Sequence, residues 1–257
     1  MRINIALGMT PNWFEFARVT VGSVLLNARP EDEYHFFIMA NEFCDYDRKM
    51  FTSLNAIHPA EFEFILIDDS YFDGAIHDWL GVSSSYRLRL PSLVHESKVL
   101  YLDSDIIAVQ DISPLYETDI SDYYLAGVED KCSEMMKSRV NLSEDDIFFN
   151  GGMQLINLDA FRENNLEKII MKKLRESTFY TDQDVINDVC RGKILSLPLK
   201  YNIMPCSGAY QTRQEEFIES INNPVLIHFT DKPWNGANCQ HADTWFQYKI
   251  RVRRIKV

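Results

Sequence analysis

The stretch Lys98–Val109, KVLYLDSDIIAV, contains two aspartates directly after a short apolar run. Val99–Leu102 forms that run, and Ile106–Val109 resumes it after Asp103 and Asp105. A run of this kind is typical of a strand that is buried on both faces of a sheet. Two carboxylates one residue apart repel each other, and burying them without a partner is costly. We therefore expect either a positive charge between them or a strand that ends in water.

The composition is that of an ordinary globular protein. The chain has 257 residues, of which 46% are hydrophobic and 25% are charged. Its formal net charge is −12 at pH 7, which argues against non-specific binding of nucleic acid. An anionic ligand would therefore need local positive charge from a metal, a helix N-terminus or a few Lys and Arg side chains.

The cysteines predict neither a zinc site nor a disulfide framework, because they are odd in number and widely spaced, with no CxxC pair. We expect free thiols in a reducing cytosol. The N-terminus MRINIALG lacks the charged-then-apolar pattern of a signal peptide, and no run approaches the roughly 18 apolar residues of a membrane span. These observations predict a soluble, cytoplasmic protein. The five cysteines are Cys44, Cys132, Cys190, Cys206 and Cys239.

Strand-like and helix-like segments alternate along the first part of the chain. This alternation indicates βαβ units and a mainly parallel sheet. In open α/β sheets, ligands bind beyond the carboxyl ends of the strands, which is where Asp103 and Asp105 lie. The predicted elements are strands at Ile3–Leu7, Tyr34–Ala40 and Phe62–Asp68 and helices at 14–27 and 45–56.

The pattern becomes more mixed around and after the two aspartates. We predict a helix over Ser83–Val94 that bends at Pro91. A second, amphipathic helix is predicted over Leu158–Glu176 with Asp159 as its N-cap. Pro224–Phe229 is predicted to be a late strand.

We predict that residues 1–257 form one domain, because the chain has no repeats, low-complexity segments or linkers. The pattern divides it into an α/β half at 1–110, a mixed half at 111–240 and a basic tail at 241–257. The last twelve residues, FQYKIRVRRIKV, include five Lys and Arg residues. We expect this tail to be solvated, with at most a weak peripheral contact to the inner face of an anionic membrane.

Five sequence blocks, taken in order, resemble glycosyltransferase family 8. They are the first strand and its loop, SSSYRLRLPSLVHESKVLYLDSDIIAV, FFNGGMQLINL, TDQDVIN and VLIHFTDKPW. A lone DxD arises often by chance, but five ordered blocks with matching spacing are specific. The family comprises retaining enzymes that include bacterial lipopolysaccharide galactosyl- and glucosyltransferases and glycogenin. The resemblance covers nearly the whole chain and implies a GT-A fold, an α/β domain with a Rossmann-like, mainly parallel nucleotide-binding sheet flanked by helices. It also implies a nucleotide-binding half at 1–110 and a donor-sugar and acceptor half at 111–240.

The resemblance implies that Asp103, Asp105 and His228 bind a divalent cation. Carboxylates are hard oxygen donors suited to Mn²⁺ or Mg²⁺, and an imidazole beside them favours Mn²⁺. The cation would bridge the diphosphate of a UDP-sugar and remove the repulsion between the two aspartates. The residues alone leave another interpretation open, in which Asp103 and Asp105 lie at a solvent-facing strand end and His228 has a structural role.

The resemblance also implies the contacts to the donor sugar. Arg87 would lie near the nucleotide and the sugar, Asn150 and Gly151 would contact the sugar, and Asp182 and Gln183 would lie on its reactive face. Gln183 is a poor nucleophile because an amide lacks the charge of a carboxylate, so we favour same-face attack over a covalent intermediate. The residues alone also allow other roles. Arg87 could form a surface salt bridge, Gly151 and Gly152 could form a tight turn before a strand, and Asp182 and Asp184 could cap a helix.

Two blocks depart from the family pattern. The family often reads Ala-x-Asp-x-x-Tyr in the first loop, whereas ALGMTPNW keeps Ala6, has Gly8 in place of the acid and offers Asn12 to the uracil. The loop between His228 and Lys232 is shorter than usual, and we expect Lys232 to pair with the diphosphate. The predicted nucleotide-sugar contacts are then Ala6, Gly8, Asn12, Arg87, Asp103, Ser104, Asn150, Gly151 and Lys232.

The predicted function is transfer of a hexose, galactose or glucose, from a UDP-sugar to a saccharide or glycan acceptor, with the anomeric configuration retained. One alternative is a non-catalytic member of the fold that only binds a nucleotide-sugar. Another is a haloacid-dehalogenase-type phosphatase, in which an apolar strand also ends in Asp-x-Asp. That motif normally follows the first strand, whereas several βα units precede it here.

Overall fold

The apolar runs of the sequence pair into one mixed sheet in the computed structural model. The structure describes residues 1–76, 81–131, 134–140, 142–143, 145–177, 180–207, 214–236 and 240–257. Its strands are β1 (Arg2–Gly8), β2 (Glu33–Ala40), β3 (Ala60–Leu66), β4 (Lys98–Leu102), β5 (Ile106–Ala108), β6 (Leu125–Glu129), β7 (Phe149–Asn157), β8 (Ile194–Ser196) and β9 (Leu226–His228). Its helices are α1 (Phe14–Leu26), α2 (Asp45–Thr52), α3 (Leu90–Leu93), α4 (Ser113–Tyr116), α5 (Glu134–Arg139), α6 (Leu158–Glu163), α7 (Leu166–Glu176), α8 (Asp182–Val189), α9 (Gln214–Asn222) and α10 (Ala242–Arg253).

Seven strands form the main sheet in the order β3-β2-β1-β4-β7-β6-β8. The strands β1 to β4 run parallel to one another, β7 is antiparallel to β4 and β6, and β8 is parallel to β6. β5 and β9 form a separate antiparallel pair. The predicted mainly parallel sheet flanked by helices is confirmed, and the carboxyl end of β4 leads directly into the two aspartates.

Side chains of β4 alternate between two cores because successive residues of a strand point to opposite faces. Leu100 and Leu102 join the core that contains residues of α1 and α2. Val99 and Tyr101 join the core that contains residues of α6, α7 and α8. All four side chains are fully buried. The expectation of a strand buried on both faces is therefore met.

The helix predicted over Ser83–Val94 has a different form. Residues Val82–Arg89 make a 3-10 helix, and α3 follows as a single short turn. Pro91 lies in the first turn of α3, where a residue without an N–H group leaves no hydrogen bond unmade. Pro91 therefore begins a helix rather than bending one.

The single amphipathic helix predicted over Leu158–Glu176 is two helices, α6 and α7. Asn165 adopts a left-handed conformation, with φ of 52°, and this reversal separates the two. The N-cap is Asn157, whose side chain accepts a hydrogen bond from the Ala160 N–H group, and the prediction of Asp159 as the cap is wrong. Asp159 lies two residues further on, in the first turn, and pairs with Arg162.

The segment predicted to be a solvated tail is largely the helix α10. Trp245, Tyr248 and Val252 are buried on it, so one side of the helix packs against the protein. Val252 lies so close to α1 that a Cβ atom on Gly22 would be 2.4 Å from its methyl carbon. The basic residues of 241–257 therefore lie on a packed helix or directly after it. The expectation of a solvated tail is wrong.

The expectation of free cysteines is correct only in part. Cys44 and Cys190 are free, whereas Cys206 is disulfide-bonded. Cys132 and Cys239 lie outside the described residues. Within the described ranges, none of the helices combines the length and apolar character needed to cross a bilayer.

Candidate functional site

The two aspartates and His228 converge beyond the end of β4. Pairing of β5 with β9 sets Ile106 opposite His228, which brings the imidazole beside the preceding aspartates. His228 Nε2 lies 3.2 Å from Asp105 Oδ1 and 3.9 Å from Asp103 Oδ2. One ligand atom from each of the three residues lies within 4.8 Å of the others. Strand pairing thus collects three potential metal ligands from distant parts of the chain.

The chemistry of this trio fits a divalent cation. Asp105 Oδ1 is buried and makes no hydrogen bond to any residue in the described part of the chain. Asp103, Asp105 and Asp182 bring three carboxylates together, while Arg87 and Lys232 are the cations that pair with them. An additional positive ion would offset the remaining negative charge, and hard oxygen donors with one imidazole suit Mn²⁺ or Mg²⁺.

The surroundings of Asp105 favour its charged form. Burial raises the pKa of the Asp105 carboxyl, but His228 and Lys232 lower it more strongly, so the pKa lies below its usual range. The Lys232 ammonium contacts Asp105 directly and donates a second hydrogen bond, of 2.9 Å, to the Phe229 carbonyl. Lys232, which we expected to pair with a diphosphate, therefore lies beside a metal-ligand candidate.

Arg87 is buried between the 3-10 helix and β7, with only 5% of its side chain exposed. Its guanidinium forms ion pairs with Asp103 Oδ1 at 3.3 Å and with Asp182 Oδ2 at 3.0 Å, and it contacts the Gly151 carbonyl. Burial lowers the pKa of Arg87, but Asp103, Tyr101 and Asp182 raise it above its ordinary value. A surface salt bridge is therefore excluded, and Arg87 links Asp103, directly after β4, to Asp182 at the start of α8.

Asp182 lies at the first position of α8, where its carboxylate pairs with Arg87. Burial raises the pKa of its carboxyl, which Arg87 opposes and Asp103 reinforces, so the pKa is above the usual range. Thr181 and Asp184 form a capping box at this helix start, because each side chain bonds the other residue's N–H group. Capping therefore falls to Thr181 and Asp184 and leaves the Asp182 carboxylate turned toward Arg87.

The side-chain amides of Gln183 and Asn150 both donate a hydrogen bond to one carboxylate that the sequence analysis did not identify. Asp130, at the end of β6, accepts hydrogen bonds from Asn150 Nδ2 at 3.1 Å and from Gln183 Nε2 at 3.3 Å. Gln183 Oε1 accepts a further bond of 2.8 Å from the Gly151 N–H group. Asn150 Oδ1 accepts bonds from the Gly152 N–H group and from the buried Asn202, both at 2.9 Å. Both amide side chains are thus held at each end.

Asn187 ties α8 to the start of β7 and was also missed. Its Oδ1 accepts a 2.7 Å hydrogen bond from the Phe149 N–H group, and its Nδ2 donates a 2.9 Å bond to the Phe149 carbonyl. The same Nδ2 lies 2.9 Å from the Gln183 carbonyl. The last residue of TDQDVIN therefore connects the helix that carries Asp182 and Gln183 to the strand that carries Asn150.

The two glycines of FFNGG permit close packing inside the site. A Cβ atom on Gly152 would be 2.3 Å from His228 Cε1 and 2.9 Å from Asp103 Oδ2. A Cβ atom on Gly151 would be 3.0 Å from an Arg87 nitrogen and 3.2 Å from Gln183 Oε1. These positions therefore require the absence of a side chain.

The first loop lies along the same edge of the sheet. Ala6 is buried in β1 and pairs with Tyr101 of β4, and Gly8 ends the strand against Tyr86. Asn12 lies exposed in a 3-10 turn, Pro11–Trp13, and contacts the Thr10 hydroxyl. The Lys232 ammonium lies 5.6 Å from the centre of the Trp13 ring. The loop therefore borders the site through Trp13.

Ser104, between the two aspartates, is buried. Its carbonyl accepts a 3.0 Å hydrogen bond from the Thr20 hydroxyl of α1. This bond connects the turn that carries Asp103 and Asp105 to α1. The structure therefore gives Ser104 a supporting contact within the protein.

Aromatic rings join this edge to the C-terminal helix. Trp234, two residues after Lys232, has its ring centre 4.5 Å from that of Phe16 and 4.4 Å from that of Trp245. Trp13 lies 6.2 Å from Trp234 in an edge-on arrangement. Trp234 is thus one member of an aromatic cluster formed by Trp13, Phe16, Trp234 and Trp245.

The fold is that of solved GT-A glycosyltransferases. A structure of the galactosyltransferase LgtC in complex with donor and acceptor sugar analogs superposes with a TM-score of 0.82 and 22% identity, covering 98% of this chain and 96% of that chain. An apo structure of the bifunctional glycosyltransferase WbbM superposes with a TM-score of 0.83 and 18% identity, covering 99% of this chain and 52% of that chain. The predicted GT-A fold is confirmed.

Sequence comparison assigns the family. The family model for glycosyl transferase family 8 matches residues 4–238, and the chain therefore belongs to glycosyltransferase family 8. General stress protein A of Bacillus subtilis (strain 168) is 23% identical over 245 residues, which cover 88% of this chain and 85% of the relative. A putative glycosyltransferase of Haemophilus influenzae is 25% identical over 254 residues, which cover 94% of this chain and 75% of the relative. The family resemblance is confirmed, and the phosphatase alternative is overturned.

Proposed function

We propose that the protein transfers a hexose, galactose or glucose, from a UDP-sugar to a saccharide or glycan acceptor and retains the anomeric configuration. The observation that carries this proposal is the convergence of Asp103, Asp105 and His228 at a strand end that also faces Arg87 and Asp182. A ligand-binding edge of this kind, beyond the carboxyl ends of the strands, is the expected substrate site of an open α/β sheet.

Asp103, Asp105 and His228 would hold the divalent cation, preferably Mn²⁺, with Mg²⁺ as a substitute. When bound, such a cation would act as a Lewis acid and neutralise charge on the leaving diphosphate. Lys232 would add a positive charge on the same side, because its ammonium lies at Asp105. Asn12 and backbone groups near Ala6 and Gly8 would contact the uracil.

Gln183 and Asp182 would lie on the reactive face of the donor sugar, with Asn150, Gly151 and Arg87 as further contacts to the donor. Contacts to Gly151 and Asp130 fix the orientation of the Gln183 amide before any substrate binds. A preorganised dipole stabilises developing charge without having to reorient during the reaction. We therefore propose same-face attack by the acceptor hydroxyl, with Gln183 stabilising the transition state rather than forming a bond to the sugar.

Two solved structures support this arrangement by analogy. LgtC is a galactosyltransferase and was crystallised with donor and acceptor sugar analogs, which supports a sugar donor and a sugar acceptor here. A further LgtC structure is of an active-site mutant in which a glutamine is replaced by glutamate. We propose that Gln183 is the corresponding amide of this chain. The cytoplasmic location, with at most a peripheral membrane contact, is part of the same proposal.

Thermal unfolding with UDP, with Mn²⁺ and with both ligands tests the metal-bridged site. A ligand at about 100 times its dissociation constant stabilises a protein by about 2.7 kcal/mol, which raises the Tm by several degrees in a chain of this size. We expect the shift to require UDP and Mn²⁺ together and to be absent in Asp105→Ala. Asp73→Ala, which removes an exposed acid that is not among the predicted site residues, is the matched control.

Hydrolysis and transfer assays separate the enzyme from a non-catalytic binder. Wild-type protein should slowly release the sugar from UDP-galactose or UDP-glucose without an acceptor, and Gln183→Ala should reduce this release more than it reduces UDP binding. A thermal shift without any hydrolysis would favour the binder. Absence of any change in Tm with UDP would contradict the assignment of UDP as the nucleotide.

A further inference from the structure

The two oxygens of Asp103 have different environments. Oδ1 accepts a 2.9 Å hydrogen bond from the Tyr101 hydroxyl and pairs with the Arg87 guanidinium at 3.3 Å. Oδ2 faces His228 Nε2 at 3.9 Å and accepts no hydrogen bond from any residue in the described part of the chain. One oxygen is thus engaged by the protein, and the other is directed at the proposed metal site.

Tyr101 owes its position to the period of the strand. Residues two apart in a strand point to the same face, so Tyr101 and Asp103 project to the same side of the sheet. The Tyr101 side chain is fully buried, and a buried phenol needs a hydrogen-bond partner. Asp103 is that partner, so packing of the ring into the core determines where the hydroxyl meets the carboxylate.

Arg87 supports the same arrangement from a position over the Tyr101 ring. Its guanidinium carbon lies 4.4 Å from the centre of the Tyr101 ring, and its nitrogens reach both Asp103 and Asp182. A change at Arg87 would disturb several contacts at once. Replacing Tyr101 with phenylalanine removes one hydrogen bond and keeps the ring under the guanidinium.

We propose that Tyr101 is a positioning residue, whose buried hydroxyl holds Asp103 so that Oδ2 alone is offered to the cation. This inference rests on the proposed metal-dependent function. Groups that orient metal ligands through hydrogen bonds commonly change metal affinity by about 10- to 100-fold when they are removed. Without its hydroxyl partner, the Asp103 carboxylate would rotate more freely and would lose part of its preference for the metal-facing orientation.

The test is the Mn²⁺ dissociation constant of Tyr101→Phe, measured from the electron paramagnetic resonance signal of free Mn²⁺ at saturating UDP. We expect binding to be about 10-fold weaker than in the wild-type protein. Tyr116→Phe is the matched control, because it removes a buried hydroxyl that donates to the Lys98 carbonyl at the opposite end of β4. Its Mn²⁺ affinity should be unchanged even if both variants lose similar thermal stability.

Donor hydrolysis at increasing Mn²⁺ separates positioning from damage to the fold. Weakened positioning raises the Mn²⁺ concentration for half-maximal rate, and saturating Mn²⁺ restores most of the rate in Tyr101→Phe. A rate that stays low at every Mn²⁺ concentration, or an Mn²⁺ affinity equal to that of the wild-type protein, would overturn the role of Tyr101. If the wild-type chain itself bound no Mn²⁺, the metal site of the proposed function would fall together with it.

Discussion

Gly152 has His228 and Asp103 packed directly against its backbone. The nearest atoms to a Cβ built at this position belong to two of the three candidate metal ligands. The glycine therefore sets the distance between β7 and the end of β4. This is a packing requirement, and it holds whichever nucleotide or sugar the site accepts.

Gly152→Ala should abolish the joint stabilisation by UDP and Mn²⁺, because the methyl group would displace His228 or Asp103. Overpacking also destabilises a fold, here by about 1–3 kcal/mol. Thermal unfolding with and without the ligands measures both effects. Gly127→Ala on the adjacent strand is the control, since its Cβ would lie 3.5 Å from Phe149 atoms, an ordinary contact. Ligand stabilisation of Gly152→Ala equal to that of the control would contradict this account.

Cys190 and Cys44 should differ in reactivity. Burial raises the pKa of the Cys190 thiol to about 12, so it remains protonated at pH 8, and only the thiolate reacts with alkylating agents. Cys44 is exposed. Mass spectrometry after brief treatment of the native protein with iodoacetamide at pH 8 should find Cys44 modified and Cys190 unmodified. Equal labelling of the two would mean that Cys190 is not buried in solution.

Candidate site residues could be selected from the sequence where a motif was distinctive. The aspartate pair and His228 could be identified from their blocks, and the structure brings them together. Asp130 could not, because a single acid at the end of an ordinary strand carries no pattern of its own. Its importance arises only when folding brings Asn150 and Gln183 to the same carboxylate oxygen.

At the scale of elements, α10 supports the loop that carries Lys232. Trp245 of α10 packs at a tilt against Trp234, which in turn stacks on Phe16 of α1. The helix also packs along α1 through Val252. The end of the described chain is therefore part of the framework around the site.

Trp245→Ala should destabilise the protein by about 3–5 kcal/mol, because it removes a fully buried ring. It should also weaken binding of UDP with Mn²⁺, since Trp234, two residues from Lys232, loses the ring that packs against it. Chemical unfolding and calorimetric titration measure the two effects. Ile250→Ala, at a position that is 55% exposed on the same helix, should change neither. Unchanged ligand affinity in folded Trp245→Ala would show that α10 supports stability alone.

Prediction of elements failed where tertiary contacts or one dihedral angle decided the outcome. Periodicity over 158–176 is continuous, yet the left-handed Asn165 breaks the helix. Five of the 17 residues at 241–257 are Lys or Arg, which suggested a solvated tail, whereas three buried side chains hold the segment on the protein. The strands were predicted more reliably, because their apolar runs are short and bounded by polar or turn residues.

At the scale of the whole molecule, the pairing of β4 with β7 joins the two halves of the chain. Lys98–Leu102 pairs along its full length with Met153–Asn157. Leu100 and Leu102 from the first half share one core with Met153 and Leu155 from the second. The division at residue 110, useful for describing ligand contacts, therefore crosses a continuous core.

A fragment of residues 1–110 should not fold cooperatively, because β4 would lose β7 and expose its buried edge to water. Thermal unfolding followed by circular dichroism should give a broad, weak transition for the fragment and a single sharp one for the full chain. A sharp transition in the fragment would mean that the nucleotide-binding half is an independent domain.

The pairing of β5 with β9 also imposes an order in time. Asp103 and Asp105 are synthesised before His228, which follows Asp105 by 123 residues. A nascent chain that has not reached β9 carries both carboxylates without the imidazole that completes the trio. Retention of the proposed cation would thus begin only when translation has passed His228 and the two strands have joined.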